Sequence, residues 1–306
     1  MIVTVHQHER KSVLQVLTAT EHDTTCMSTS HLHRREKDAT MPMAQIGNLT
    51  LRYQVQGTGK PLLLIIGYRG SSILWGEEFL EPLAQSFQVI TFDNRGTGLS
   101  DKPAVPYTIP MMADDAAGLL SYLGIARADV FGVSMGGMIA QELALRHPRR
   151  VKRLLLGCTM CGGPQAVVAS PEVIARLLPA PEMPREVAIR RLWAVIFSPT
   201  FLAQQQAFLD RLTARALTCP TPFLSSIRQA LAMQRFNTYG RLGQIVAPTL
   251  VVTGDADRLV PPANSHLLAA RIPGAALTSF AGAGHGFFWE HTQAMIRLLG
   301  DFCLPS

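Results

Sequence analysis

The chain carries few charges for its size. Of 306 residues, 28 are Lys or Arg and 22 are Asp or Glu, 16% together, against roughly 25% in ordinary soluble domains. It also has no long apolar run. The longest strongly apolar stretch, Leu62 to Ile66, falls far short of the roughly 20 residues that span a bilayer, so no membrane partner is expected. Disorder throughout is excluded, because 47% of the residues are apolar and would be left in water. Clustered basic sequence is missing too. The net charge is +6, yet Lys and Arg come singly or in pairs (Arg34-Arg35, Arg149-Arg150, Arg190-Arg191). With no aromatics interleaved among them, no nucleic-acid partner is expected. Five cysteines, Cys26, Cys158, Cys161, Cys219 and Cys303, are too few and too irregular for a disulfide framework. The first residues lack the basic start, apolar stretch and cleavage site of a secretory signal, and their acidic side chains count against a mitochondrial presequence. The cytoplasm is the expected compartment.

Residues 1–42 hold five of the nine histidines, no glycine and charges that cancel. They read as a disordered N-terminal extension, or as sequence upstream of a start at Met41 or Met43. His6-x-His8 and His31-x-His33 have no nearby Cys or ordered acids to complete a metal site, so no metal is assigned. From Met43 the pattern becomes regular. Gln45–Gln56 alternates as a hairpin, and PLLLII (61–66), QVITFD (88–93), ADVFGVS (128–134) and VKRLLLG (151–157) read as strands. Helical patterns fall between them at about 77–85, 111–124 and 135–148, the second with Asp in its first turn where the helix dipole favours anions. After a Pro-punctuated stretch, strands resume at 248–254 and 276–282, with helices at 264–271 and 289–302. The expected architecture is α/β: a mostly parallel eight-stranded sheet with helices on both faces. Its core is 43–159 plus 245–306, and 160–244 is a helical lid inserted over the carboxyl edge, where open sheets bind ligands.

Gly132-Val133-Ser134-Met135-Gly136 follows one such strand and opens a helix. A sharp strand-to-helix turn lifts a serine clear of the sheet, and the flanking glycines remove side chains that would collide there. The helix N-terminus behind it favours developing negative charge. A serine hydroxyl needs a base. Outside the extension, His147 lies at a helix end and His266 and His291 in helix-forming sequence, whereas His285 sits in AGAGHGFF just after a strand. The base needs an acid to fix its tautomer. TGDADRLVP offers Asp255 and Asp257 at a strand end; Asp255 suits turn-shaping, and Ser134, Asp257, His285 is the chain order of strand-edge serine triads.

From about Met43 onward the chain resembles the α/β-hydrolase superfamily, in the segments LLLIIGYRGSSILW, FDNRGTGLSD, GVSMGGMIAQELALRHP, PTLVVTGDADRLVP and AGAGHG. The resemblance implies Ser134 as nucleophile, Asp257 as acid and His285 as base. It also implies an oxyanion hole from the backbone N–H groups of Met135 and Tyr68, and no cofactor. One departure stands out. Many members carry His-Gly where this chain has Ile66-Gly67, and the missing histidine leaves open what braces the oxyanion turn; Arg69 is a candidate. The segments look most like enol-lactonases and methylesterases. The implied activity is hydrolysis of a small, largely apolar ester or lactone through an acyl-enzyme. Carbon–carbon bond hydrolysis, perhydrolysis and a non-catalytic ligand-binding role remain alternatives. Ser134 argues against dehalogenases and epoxide hydrolases, which place Asp at that position.

Two further motifs are read structurally. FDNRGTGLSD lacks the third glycine of a dinucleotide fingerprint, so Asp93 and Arg95 are assigned to holding the turn. Cys158-x-x-Cys161 has no thioredoxin-like surroundings and reads as packing cysteines. In the lid, Leu177, Leu178, Leu192, Trp193, Ile196, Phe197, Phe201, Phe208 and Phe236 are expected to pack its helices together and to line an apolar pocket.

Overall fold

The computed structural model describes residues 41–177 and 183–304. The readings made for residues 1–40, and for Leu178, lie outside them. Eight strands form one sheet: β1 (Met43–Ile46), β2 (Leu49–Gln56), β3 (Lys60–Ile65), β4 (Phe87–Phe92), β5 (Ala128–Val133), β6 (Val151–Gly157), β7 (Thr249–Gly254) and β8 (Ala276–Phe280). Their order is β1-β2-β4-β3-β5-β6-β7-β8. The β1–β2 hairpin and the β2–β4 pair are antiparallel; every pair from β4 to β8 is parallel.

Alternation along the strands explains their continuous apolar runs. In β3, Leu63 and Ile65 face one core and Leu62 and Leu64 the other, all at 0% exposure. A strand covered on both sides has no polar face to show. The first core packs against α2 (Ile109–Tyr122), α3 (Met135–Arg146) and α9 (Ala263–Arg271). The second packs against α1 (Glu77–Ala84) and α11 (Thr292–Cys303).

Two helices differ from the sequence reading. α2 begins two residues earlier than the pattern suggests, because the Thr108 Oγ1 accepts from the Met111 N–H at 3.2 Å and caps it. Its first turn therefore holds no acid. Asp114 and Asp115 sit one turn on and serve as partners: Asp114 pairs with Arg146 and His147, and Asp115 with Arg95. The C-terminal pattern splits into α10 (Phe287–Glu290) and α11 at His291, whose ring stacks on Phe280.

The NRGTG turn after β4 is held as expected from its residues. Asp93 Oδ1 accepts from the Ser72 N–H and hydroxyl, each at 2.7 Å, and Oδ2 from the Leu99 N–H at 2.9 Å. Arg95 grips Asp115 through two 2.6 Å bonds, with the two side chains only 10% and 9% exposed. Removing one partner of such a pair strands the other charge. Arg95→Ala is therefore expected to cost about 3–5 kcal/mol of stability, read as an earlier urea midpoint with an unchanged slope.

Between β6 and β7 the chain is helical: α4 (Pro171–Leu177), α5 (Arg185–Ile196), α6 (Pro199–Gln204), α7 (Gln206–Thr218) and α8 (Phe223–Gln234). Trp193, Ile196, Phe197, Phe208 and Leu212 join the second core beside Trp75, Phe288 and Trp289. A forked ion pair, Arg215 to Glu78 at 2.6 and 2.8 Å, ties α7 to α1. Among the described residues no helix is long and apolar enough to cross a membrane.

Candidate active site

Ser134 stands between β5 and α3 at φ 56°, ψ −123°, in a region that costs a non-glycine residue about 1–3 kcal/mol. The surroundings enforce that strain. The Ser134 N–H donates to Gly157 O at 2.9 Å, while its carbonyl accepts from the Gly137 N–H at 2.9 Å and the Thr159 hydroxyl at 2.7 Å. The flanking glycines are sterically obligatory. A Cβ on Gly132 would lie 2.3 Å from Gly136 O, and one on Gly136 would lie 2.0 Å from Ile65 O. Those obstacles are main chain and cannot swing away. Gly136→Ala is thus expected to lower the Tm by roughly 5–10 °C, as overpacking of this severity does in a domain this large.

His285 and Asp257 meet at the same edge. Imidazole Nδ1 lies 2.8 Å from Asp257 Oδ2, with both side chains buried. The other carboxylate oxygen accepts from the Leu259 N–H at 2.8 Å and the Val260 N–H at 2.9 Å, so the acid's orientation is fixed from its own loop. Asp255 does what its position suggested: its Oδ1 accepts from the Gly282 N–H at 2.6 Å and shapes the turn. Burial acts to lower the imidazole's proton affinity, but the Asp257 charge and the adjacent Cys158 outweigh it. The pKa of His285 stands well above the usual histidine value.

Ser134 Oγ makes no hydrogen bond to His285 in this structure. Cys158, the residue after β6, is buried and at φ 40°. Its sulfur interacts with the backbone at Ser134 and with the His285 ring, and burial pushes its thiol pKa up. Nucleophile–base bonds commonly stay long until substrate arrives. Cys158 and Cys161 are both free and buried, the packing role the sequence suggested. The contact between Cys158 and His285 spans 127 positions and had no sequence signal.

Tyr68 lies in the turn after β3, next to Gly67, which packs against Ser134. A Cβ on Gly67 would approach Ser134 Cβ to 3.0 Å and its Oγ to 3.5 Å. Among the described residues, neither the Tyr68 nor the Met135 N–H donates to a protein acceptor. In place of the histidine many superfamily members carry, Asn94 Nδ2 donates to Ile66 O at 3.1 Å. From α8, Gln229 Oε1 accepts from the Arg69 N–H at 3.0 Å, and the Thr221 hydroxyl donates to Arg69 O at 2.8 Å. Arg69 is braced through its main chain; it is not the brace.

Of the other histidines, His147 bonds Asp114 at 2.7 Å and His291 stacks on Phe280, while His266 lies within α9. No three His, Cys, Asp or Glu side chains among the described residues cluster as metal ligands.

Known proteins share this arrangement of chain. A putative carbamate hydrolase of Azorhizobium caulinodans is 31% identical over 86% of this chain and 98% of its own. A 2-hydroxy-6-oxononadienedioate/2-hydroxy-6-oxononatrienedioate hydrolase of Paraburkholderia xenovorans is 33% identical over 84% and 91%. Among solved structures, the enol-lactonase of Burkholderia xenovorans superposes with a TM-score of 0.75 at 26% identity, covering 86% of this chain and 99% of that one. An N-acyl homoserine lactone degrading enzyme, Est816, gives 0.72 at 31% identity over 85% and 100%. Residues 62–298 match the sequence profile of the alpha/beta hydrolase family, and the chain belongs to that family.

Proposed function

We propose that the protein is a serine hydrolase that cleaves a small carboxylic ester or lactone through an acyl-enzyme. The observation that carries this reading is the buried 2.8 Å bond between Asp257 and His285; a serine held at φ 56° on a helix N-terminus supports it. Asp257 keeps the proton on Nδ1, so Nε2 is free to take the proton of Ser134 as Oγ attacks the carbonyl carbon. Charge then develops on the carbonyl oxygen. The N–H groups of Met135 and Tyr68 receive it, and α3 adds its positive end. His285 returns the proton to the leaving alcohol oxygen, which in a lactone stays tethered to the acyl group. Water, activated by the same imidazole, then releases the acid.

The similarity to an enol-lactonase and to an acyl homoserine lactone degrading enzyme supports ester and lactone carbonyls as the substrate class. The test is turnover of p-nitrophenyl esters of graded chain length against γ-lactones, with mass spectrometry of the trapped acyl adduct. An acyl group on the peptide containing Ser134 is expected. Inertness towards every ester and lactone, alongside turnover of a ring-cleavage dienoate, would move the reaction to carbon–carbon hydrolysis. Inertness towards all three would leave a ligand-binding protein.

A further inference from the structure

We propose that Gln229 and Thr221 are positioning residues for the oxyanion turn, so that the hole is complete only while α8 is docked on the sheet edge. The inference rests on the serine-hydrolase reading and adds to it the residues that hold the hole in shape.

The turn spans Gly67–Gly70, closed by a 3.1 Å bond from the Gly70 N–H to Gly67 O. Peptide bonds in the described chain are trans. With the Gly67 carbonyl turned inward, the N–H across that peptide plane, which belongs to Tyr68, points out of the turn. An N–H so directed is left free to serve as an oxyanion donor. The geometry depends on Arg69 at φ 59°, a position where such turns ordinarily use glycine. Left alone, a non-glycine residue there tends to revert to negative φ, which opens the Gly70–Gly67 closure and frees the Gly67–Tyr68 peptide, with its N–H, to rotate.

Both main-chain groups of Arg69 are held against that flip by side chains about 150–160 positions later in sequence. Gln229 accepts from the N–H, and Thr221 donates to the carbonyl. Gln229 is fully buried, and its amide cannot rotate freely, because Nε2 donates to Arg95 O at 3.1 Å. Arg95 is in turn clamped to Asp115. Asn94 supports only the residue entering the turn, Ile66. The helical segment also steadies the other half of the site. The Gly286 N–H donates to Ile196 O at 2.8 Å, and a Cβ on Gly284 would lie 2.6 Å from that same carbonyl. One inserted segment thus sets both the oxyanion turn and the loop carrying His285.

The test compares an alkyl trifluoromethyl ketone, whose serine adduct is a tetrahedral oxyanion, with the matching methyl ketone, which occupies the acyl pocket without forming one. Gln229→Leu is expected to lower kcat on a p-nitrophenyl ester by about 10- to 100-fold, short of the loss of a whole donor. KM should stay within about 2-fold, since ground-state binding is untouched. Inhibition by the trifluoromethyl ketone should weaken by a similar factor while the methyl ketone is unaffected. Thr221→Val should act in the same sense by about 5-fold, with Thr221→Ser restoring the wild-type values; this pair decides the matter if Gln229→Leu does not fold. Folded variants that keep kcat, or that lose both ketones equally, would show a packing role and overturn the proposal. A wild-type protein inert to esters and to the trifluoromethyl ketone would instead overturn the hydrolase reading, and this proposal with it.

Discussion

Ser134→Ala is expected to leave a folded protein whose kcat on the esters proposed as substrates falls by at least about 10³-fold, the scale seen when a triad nucleophile is lost. The substitution removes one oxygen. The cross-braces at residue 134 all run through its main chain, so the variant should melt within about 1 °C of wild type, as neutral substitutions do. Loss of activity without loss of stability separates a reacting hydroxyl from a structural one. The acyl adduct on the peptide containing residue 134 should disappear with it. Turnover retained at more than a tenth of wild type would remove Ser134 from the mechanism.

The second large effect concerns the acid. Asp257→Asn is expected to reduce kcat by about 10³- to 10⁴-fold, because an amide facing Nδ1 favours the wrong tautomer. It should also move the pH profile. In the wild type, burial works against protonation of His285, and the Asp257 charge with neighbouring Cys158 overrides it. The base must be neutral to act, so wild-type kcat/KM should rise with pH through an inflection above the ordinary histidine value of about 6.5. Without the carboxylate the Asp257 charge no longer opposes burial, and the inflection should move down. Stability carries the same signature. A histidine whose folded pKa is raised stabilises the fold fully below its unfolded pKa and loses that contribution as pH rises through the folded one. The wild type should therefore gain stability over Asp257→Asn on the acid side of that window and little above it. Denaturant titrations at several pH values measure the difference, and equal pH dependence in the two proteins would contradict the assigned coupling.

Local patterning made most of the fold legible. PLLLII and its counterparts announce strands buried on two faces, and the glycines around Ser134 and His285 announce tight turns. The collisions at Gly132, Gly136 and Gly284 are the physical reason those glycines are there. Choosing Asp257 over Asp255 also needed only chain order and turn chemistry. The support behind the site was hidden. Asn94, Thr159, Thr221 and Gln229 each bond a backbone group, and a backbone group has no residue type to betray its partner. Cys158 looked like a packing cysteine, and nothing local told that it would raise the proton affinity of His285. The helix at 109 began early because a threonine hydroxyl outcompeted the more conspicuous aspartates as its cap.

Because the helices between β6 and β7 leave and rejoin the sheet at neighbouring strands, they invite being swapped for those of a relative to change what the enzyme accepts. The bonds from Thr221 and from Gln229 on α8 to Arg69, and between Ile196 and Gly286, set a rule for such chimeras. A graft that brings a new pocket but not partners equivalent to Gln229, Thr221 and the Ile196 carbonyl would recognise its new ligand and process it slowly. On the proposed reading, selectivity and reactivity would be inherited as one block.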